Sequence, residues 1–289
     1  MIAAFLDSLR VRQWLKNVVI MAPLIFSAKM TDPALIADAL FAVGIFCMAS
    51  SGVYLMNDLL DRRVDRFHPM KRNRPIAAEK IPLRQVWVLS AALMAAAEAL
   101  AYRQDPRLGG VLLVYLAMNA AYSAVLKKQV ILDAMTISGG FVVRVWAGAV
   151  AVNVIPSHWL QLSMFFLGLF LGLSKRRQEL AVLHSSALRH RKVLSDYSPA
   201  FIDQLTAILT ASAILCYALY CVSPEVTSRV GQFGFIYTVP FVVYGIFRYL
   251  YLMHIQKKAL DPTDAVLSDP PLLLALLLWI GSVILTLYR

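Results

Sequence analysis

The sequence predicts an all-α fold: a polytopic membrane bundle of nine transmembrane helices, formed by one domain that covers residues 1–289. Of the 289 residues, 60% are hydrophobic and only 16% are charged, whereas a soluble domain carries about 25% charged residues. The mean hydropathy is +0.66. Apolar runs of about 20 residues, long enough to cross a bilayer, recur along the chain. These three observations predict an integral membrane protein.

The nine predicted helices follow from these apolar runs in chain order. We expect them at residues 14–29, 33–57, 82–103, 107–126, 130–152, 156–175, 200–222, 233–254 and 270–288. Prolines mark several of the starts, where the missing N–H costs least: Pro33, Pro82, Pro156, Pro199 and Pro270. Pro240 falls inside the eighth span and predicts a kink there.

Lysine and arginine are distributed unevenly between the two sides of the predicted bundle. The side with the N-terminus carries 21 of them and the other side 5, while Arg144 and Arg248 lie within spans. Because cytoplasmic loops are enriched in positive charge, we expect a cytoplasmic N-terminus and a C-terminus outside. The net charge of +11 therefore indicates membrane orientation and anionic substrates, and no nucleic-acid partner.

The most informative stretch is residues 57–65, at the cytoplasmic end of the second span. Its polar side chains fall on one face of a helix at about 100° per residue: Asn57, Asp58, Asp61 and Asp65. Three carboxylates there repel one another and meet the negative end of the helix dipole. An all-oxygen cluster suits a hard divalent ion such as Mg²⁺, with Mn²⁺ as an alternative. The competing interpretation is a solvated loop whose own arginines neutralise the acids: Arg62, Arg63 and Arg66.

Basic and polar candidates flank this cluster. Gln13, Lys16 and Asn17 share a helical face in the first span at positions i, i+3 and i+4, although Lys16 also fits an ordinary positive flank. The loop after the acidic cluster carries Lys71, Arg72 and Arg74. Such a loop either clamps phosphates or binds anionic headgroups without specificity.

Two ionisable residues, Asp133 and Arg144, lie inside the fifth apolar span. Ionisable residues in a membrane are costly and point to function. Eleven residues of helix separate the two by about 16 Å, which is too far for a direct pair. We favour a substrate phosphate as the partner of Arg144, and a structural link between two helices is the alternative.

On these residues the chain resembles the UbiA superfamily of intramembrane prenyltransferases, whose first signature is N-D-x-x-D-x-x-x-D. Asn57, Asp58, Asp61 and Asp65 match that signature in full. The resemblance implies a nine-helix bundle with a cavity open to the cytoplasm and laterally to lipid, where Mg²⁺ bridges the aspartates and a diphosphate. The second aspartate-rich signature, expected after the sixth helix, is absent. Lys175-Arg176-Arg177-Gln178-Glu179 stands in its place.

Further segments resemble the decaprenyl-phosphate phosphoribosyltransferase branch of this superfamily: residues 12–17, 65–69, 71–78, 122–133 and 140–144. This resemblance implies transfer of 5-phosphoribose from 5-phosphoribosyl 1-diphosphate to a polyprenyl phosphate. The products would be diphosphate and polyprenyl-phosphoryl 5-phosphoribose, a precursor of a lipid-linked pentose (arabinose) donor. It also implies a bacterial cytoplasmic membrane with the active site on its cytoplasmic face. The sequence leaves a homo-oligomer open.

The resemblance implies roles for the candidate residues. Asp58, Asp61 and Asp65 would be the catalytic metal ligands, holding Mg²⁺ on the departing diphosphate. Positive charge would develop at the anomeric carbon of the ribose, and the anionic lipid phosphate would attack without a strong general base. The other candidates would bind the substrates: Lys16, Asn17, Asn57, Lys71, Arg72, Arg74, Tyr122, Lys127, Asp133, Arg144 and Lys175.

Two other functions remain open from the sequence. A UbiA-type prenyltransferase that uses a prenyl diphosphate and an aromatic or lipid acceptor would fit the first signature, but the missing second signature argues against it. A lipid or ion transporter would line a path with Asp133 and Arg144. The paired repeats and broken helices of many transporters are not evident in the sequence.

Overall fold

The computed structural model describes residues 2–67, 71–183, 194, 196–231, 234–256 and 262–288. Within these ranges the chain forms α-helices and 3₁₀ segments and contains no β-strand. The helices are α1 (Ile2–Ser8), α2 (Ala22–Phe26), α3 (Pro33–Asp65), α4 (Leu83–Gln104), α5 (Pro106–Ala124), α6 (Leu132–Ala151), α7 (His158–Leu183), α8 (Pro199–Cys221), α9 (Pro224–Val230), α10 (Val239–His254), α11 (Pro262–Ser268) and α12 (Pro270–Leu287). The 3₁₀ segments are Val11–Met21, Lys71–Asn73, Leu126–Lys128 and Ile236–Thr238.

Six of the described helices are long and apolar enough to cross a membrane, judged by length and composition. They are Pro33–Asp65, Leu83–Gln104, Leu132–Ala151, Pro199–Cys221, Ile236–His254 and Pro270–Leu287. These correspond to the second, third, fifth, seventh, eighth and ninth predicted spans. The nine-span count and the orientation stay predictions. Part of the charge behind that orientation, at residues 189–192, 257–258 and 289, lies outside the described residues.

Several helices begin as their prolines predict. Pro33, Pro199 and Pro270 each occupy the first turn of a helix. The residue before each proline caps the helix, because its side-chain oxygen accepts a hydrogen bond from a first-turn N–H. These capping residues are Asp32, Ser198 and Asp269. The predicted kink at Pro240 is wrong, because this proline lies in the first turn of α10, where it removes no helical hydrogen bond.

The first predicted span, residues 14–29, is not one α-helix. The chain forms the 3₁₀ segment Val11–Met21 and then the short helix α2. Pro23 gives the physical reason, because an α-helix through this position needs its N–H to bond to the carbonyl of residue 19 and proline has none. The sixth predicted span, residues 156–175, ends too early. Helix α7 continues to Leu183, so the basic residues after position 174 extend a helix.

Helix α3 lies at the centre of the first half of the chain, packed against α4, α5, α6 and the 3₁₀ segment Val11–Met21. Phe46, Ala49, Tyr115 and Ala147 belong to the buried apolar core between these elements. In the second half, α7 packs against α8 and α10 against α12. The end of α3, the end of α5 and the start of α6 meet at one end of the bundle, and this meeting positions the polar residues described below.

Close packing of α6 depends on a glycine. A Cβ atom added at Gly148 would lie 1.9 Å from the carbonyl oxygen of Ile20 in the 3₁₀ segment. The backbones of the two segments therefore approach more closely than any side chain allows. Gly168 in α7 allows a similar close approach to α6, since a Cβ atom there would lie 2.8 Å from the Cα of Ser138.

We predict that Gly148→Ala lowers the stability of the purified protein by about 1–3 kcal/mol, because the segment around Ile20 must move to admit the methyl group. Thermal unfolding in detergent measures the change. Gly110→Ala is the matched control, since no atom lies within 4 Å of the added Cβ at that position. Equal melting temperatures for the two variants would contradict the predicted contact.

Candidate active site

Two of the α3 aspartates share one cationic partner. Asp58 and Asp65 are each 5% exposed and lie seven residues apart, which is about two turns of helix. A single guanidinium nitrogen of Arg74, Nη1, donates to Asp58 Oδ1 at 3.0 Å and to Asp65 Oδ2 at 2.7 Å. Arg10 also donates to Asp58 Oδ1. The loop after α3 and the turn after α1 therefore both contribute cations to these two carboxylates.

The other two signature residues face the end of α5. Asp61 Oδ1 accepts a hydrogen bond from Lys127 Nζ at 2.6 Å, and Asn57 Oδ1 accepts one from the Ser123 hydroxyl. The four residues predicted to share one face of α3 thus form two pairs on adjacent sides of the helix. At about 100° per residue, the centre of the Asn57 and Asp61 pair lies about 70° from the centre of the Asp58 and Asp65 pair, which is enough to direct the two pairs to different neighbours.

The arginines of α3 itself do not neutralise the acids. Arg62 donates to the carbonyl of Leu59 in its own helix, Arg66 pairs with Glu79, and Arg63 is exposed. The interpretation as a solvated, self-neutralised loop is therefore wrong. The neutralising cations lie outside the helix, in the loop after α3 and in two distant segments.

The donor atoms of Asp58 and Asp65 suit a hard divalent cation, although a positive nitrogen of Arg74 bonds to both carboxylates in this conformation. In the described part of the chain, no three or more acidic, histidine or cysteine side chains are arranged to hold a metal ion. In this conformation Arg74 competes with any cation for Asp58 and Asp65, and Lys127 competes with it for Asp61.

A second ionic cluster forms where the second aspartate signature is missing. Arg176 Nε donates to Asp133 Oδ2 at 2.6 Å, with the two side chains 1% and 0% exposed. Arg176 also donates to Glu179 at 2.6 Å and to the Tyr122 hydroxyl at 3.3 Å. The Tyr197 hydroxyl donates to Asp133 Oδ1 at 2.8 Å. This burial and these contacts link α6, α7 and the segment before α8.

Arg144 and Asn17, which were predicted separately, contact each other. Arg144 is 6% exposed and donates from Nε to Asn17 Oδ1 at 2.7 Å. It also donates to the Gly140 carbonyl at 2.8 Å and to the Tyr115 hydroxyl at 3.1 Å. Within the described ranges these hydrogen-bond partners are all neutral. The side chains join α5 and α6 to the 3₁₀ segment Val11–Met21.

The remaining basic candidates differ in position. Lys71 Nζ lies 3.7 Å from Glu179 Oε1, which connects the loop after α3 to α7. Burial lowers the pKa of Lys71, and nearby Lys175 contributes to the lowering. Arg72 is exposed, and Lys16 is partly buried on the 3₁₀ segment. Arg74, Lys127 and Lys71 are therefore predicted basic residues that lie at the carboxylates or in their surroundings, and Lys175 is close to Lys71.

Comparison with known proteins agrees with this architecture. The profile of the UbiA prenyltransferase family matches residues 18–268. The chain belongs to that family. It is 32% identical to the decaprenyl-phosphate phosphoribosyltransferase of Mycolicibacterium smegmatis, over 98% of this chain and 92% of the relative. The corresponding Mycobacterium tuberculosis protein is 31% identical, over 98% and 94%.

The UbiA fold is also evident from solved structures. The structure of a UbiA homolog from Archaeoglobus fulgidus bound to GPP and Mg²⁺ is similar, with a TM-score of 0.74 at 17% identity. The similarity covers 99% of this chain and 100% of that one. The protein is thus an all-helical integral membrane enzyme of the UbiA superfamily, which confirms the recognition made from the N-D-x-x-D-x-x-x-D signature. Family membership in a group of enzymes removes the basis for the transporter interpretation.

Sequence reasoning missed several residues of this UbiA site. Arg10, Ser123 and Tyr115 contact predicted site residues from other segments, and Arg176 and Tyr197 are the partners of Asp133. The run Lys175-Arg176-Arg177 was visible, but nothing in it distinguishes the buried arginine from its neighbours. The separations in sequence between these contacting residues range up to 66, so local spacing carries no signal for them.

We predict that Arg176→Met destabilises the protein by about 3–5 kcal/mol, because the fully buried carboxylate of Asp133 loses its charge partner. Arg177→Met provides the control. Arg177 pairs with Asp203, but these side chains are 26% and 37% exposed, so its loss costs about 1 kcal/mol or less. Thermal unfolding of both purified variants measures the difference, and equal losses would contradict the assignment.

Proposed function

We propose that this UbiA-family enzyme transfers 5-phosphoribose from 5-phosphoribosyl 1-diphosphate to a polyprenyl phosphate, with diphosphate as the leaving group. One observation supports this above all: the acidic residues of α3 are the only signature carboxylates, and Lys175, Arg176 and Arg177 occupy the second signature's position. The two mycobacterial relatives named for this activity support the same proposal. The product is the precursor of a lipid-linked pentose donor such as an arabinose donor.

The charge arrangement suits two polyanionic substrates. A second carboxylate cluster would repel the phosphate of a lipid acceptor, whereas basic residues attract it. Asp58 and Asp65, together with Asp61 once it separates from Lys127, would hold Mg²⁺ or Mn²⁺. When bound, this ion would neutralise charge that develops on the leaving diphosphate. The Archaeoglobus fulgidus homolog with GPP and Mg²⁺ supports a divalent ion in this fold.

The chain's own residues bind and orient the two substrates in this proposal. Arg74, Lys127, Lys71 and Lys175 would bind phosphate groups near the carboxylates, and Arg72 would contact them from the exposed part of its loop. Asn57 and Tyr122 would orient hydroxyl or phosphate oxygens through their amide and phenol groups. The lipid phosphate is already anionic, so its oxygen forms the bond to the anomeric carbon as the bond to diphosphate breaks.

Four further candidates lie close to other helices. Arg144 is a buried cation with neutral hydrogen-bond partners among the described residues, and a substrate phosphate would balance its charge. Asn17 holds it in position, and Lys16 lies one residue earlier in the chain. Asp133 would position Tyr122 through the guanidinium of Arg176 that both contact.

The proposed location is a bacterial cytoplasmic membrane with the active site on its cytoplasmic face. The sugar donor is water-soluble, so it must reach the carboxylates from the aqueous side. The positive charge of the loops on that side agrees with this placement. The nine-span arrangement belongs to the same proposal, with the 3₁₀ segment Val11–Met21 and α2 forming the first span.

Purified protein with Mg²⁺, a polyprenyl phosphate and radiolabelled phosphoribosyl diphosphate provides the direct test. Label in the organic phase that EDTA abolishes is the expected result. No label there, combined with transfer from a prenyl diphosphate to an aromatic or lipid acceptor, would overturn the donor assignment. That second outcome would identify an ordinary UbiA-type prenyltransferase.

We predict that Asp58→Asn lowers the rate of this transfer by about 100-fold or more, because a carboxylate that would hold the divalent cation on the leaving diphosphate is lost. Asp61→Asn is expected to act in the same direction. Asp38→Asn is the matched control, since Asp38 lies exposed near the opposite end of α3. Full Mg²⁺-dependent turnover in Asp58→Asn would show that Asp58 is not an active-site residue.

The environment of Lys71 predicts that binding of the sugar donor depends on pH. Burial lowers the pKa of its ammonium group below the ordinary 10.5, while Glu179 and Asp65 oppose the shift and Arg74 and Lys175 add to it. A lysine with a lowered pKa is charged below that pKa and loses its charge as the pH rises through it. We therefore expect the KM for the sugar donor to rise at alkaline pH.

Lys71→Arg should move this alkaline rise in KM to higher pH, because a guanidinium stays protonated. A pH series of KM for phosphoribosyl diphosphate measures the shift. Lys80→Arg is the control, since Lys80 is exposed in the same loop. An alkaline limb that is identical in Lys71→Arg and the wild type would exclude Lys71 as its source.

A further inference from the structure

Arg10 occupies a constrained turn beside the α3 carboxylates. Its backbone is left-handed, with φ 53° and ψ 50°, a conformation that residues other than glycine rarely adopt. The turn is held to α3 on both sides of Arg10. Trp14 Nε1 donates to the Ser51 hydroxyl at 2.9 Å, and that hydroxyl donates to the Leu9 carbonyl at 3.0 Å. Strained backbone kept in place by its surroundings is frequent at functional sites.

The Arg10 side chain has two independent contacts on α3. Its guanidinium lies over the ring of Tyr54, 5.1 Å from the centroid, and donates to Asp58 Oδ1. Tyr54 is one turn before Asp58, so the ring and the carboxylate lie on the same side of the helix. The cation–π contact with Tyr54 does not need Asp58. The guanidinium can therefore stay close to the site when the carboxylate binds another cation.

The charges of these residues balance in the present conformation. The carboxylates of Asp58 and Asp65 contribute two negative charges, and Arg10 and Arg74, which bond to them, contribute two positive charges. A divalent cation by itself would add unfavourable positive charge beside the two arginines. A diphosphate by itself would be repelled by the two carboxylates. A divalent cation and a diphosphate that arrive together largely cancel each other's charge.

We infer that Arg10 is a substrate-binding residue that exchanges partners: it pairs with Asp58 before the donor binds and with a phosphate group of the donor afterwards. Arg74 makes the same exchange from Asp58 and Asp65. Guanidinium groups suit both partners because their donors match carboxylate and phosphate oxygens alike. As a consequence, the divalent cation and the diphosphate bind as one unit. This inference rests on the proposed function only in taking a diphosphate as the donor's binding group.

Equilibrium binding to the full-length protein in lipid nanodiscs tests this exchange. Electron paramagnetic resonance measures the binding of Mn²⁺ alone, and a ³²P-labelled inorganic diphosphate assay is run with Mn²⁺ and with EDTA. In the wild type we expect Mn²⁺ alone to bind weakly. We also expect diphosphate to bind about tenfold or more tightly with Mn²⁺ than with EDTA, which is the usual size of such a coupling.

Arg10→Gln is expected to change the two affinities in opposite directions. Mn²⁺ alone should bind about tenfold more tightly, because Asp58 loses a competing cation, and diphosphate with Mn²⁺ should bind about tenfold more weakly. Arg12→Gln is the matched control. It removes the same charge two residues away, from a side chain that is 82% exposed and lies 3.8 Å from Asp264. Both of its affinities should stay within about twofold of wild type.

Four results would overturn the inference. One is a loss of both affinities in Arg10→Gln, and another is a change no larger than that of Arg12→Gln. The third is tight binding of Mn²⁺ alone to the wild type, which needs no variant to fold. Arg10→Lys keeps the charge and should bind Mn²⁺ alone as weakly as the wild type, so tight binding by this variant would also contradict it.

The outcome separates this inference from the proposed function. Coupled binding of Mn²⁺ and diphosphate without transfer of phosphoribose to the lipid would support the role of Arg10 and contradict the proposed function. Transfer of phosphoribose without coupled binding would support the proposed function and contradict the role of Arg10.

Discussion

Neutralisation of the three carboxylates at the end of α3 is the constraint on which the arrangement of this site depends. Unpaired negative charge at a buried helix C-terminus is unfavourable, because low polarity and the helix dipole both oppose it. The chain meets the constraint with cations from three separate segments: Arg10, Arg74 and Lys127. The turn after α1, the loop after α3 and the segment after α5 are each held at the site by these pairs.

Two of the ionic pairs differ sharply in their access to solvent. Asp61 and Lys127 are 42% and 19% exposed, so water can replace either partner and the pair can separate at low cost. Asp133 and Arg176 are excluded from solvent, and separating them would leave a buried charge without compensation. A pair that separates easily, such as Asp61 and Lys127, suits residues that exchange each other for a substrate. A pair that does not separate, such as Asp133 and Arg176, suits residues that hold α6 and α7 together.

The position of Arg144 depends on how the neighbouring segments pack against α6. Its guanidinium is held by Asn17 and Tyr115 from two other segments, so its position depends on how closely those segments approach α6. Gly148 permits that approach, because its missing side chain lets the carbonyl of Ile20 lie against the helix. The backbone packing of the 3₁₀ segment and the placement of a buried cation are therefore parts of one arrangement.

The sequence by itself determined the membrane class, most helix positions and the UbiA signature, because hydropathy, proline placement and helical spacing are local properties. It also located most of the polar residues that lie at the end of α3. Only the tertiary structure decided their partners. Asp58 pairs with Arg10 across 48 residues and Arg144 with Asn17 across 127, and no local pattern encodes such contacts. The 3₁₀ form of residues 11–21 was also beyond the apolar pattern, because that pattern measures hydrophobicity and does not resolve which backbone hydrogen bonds form.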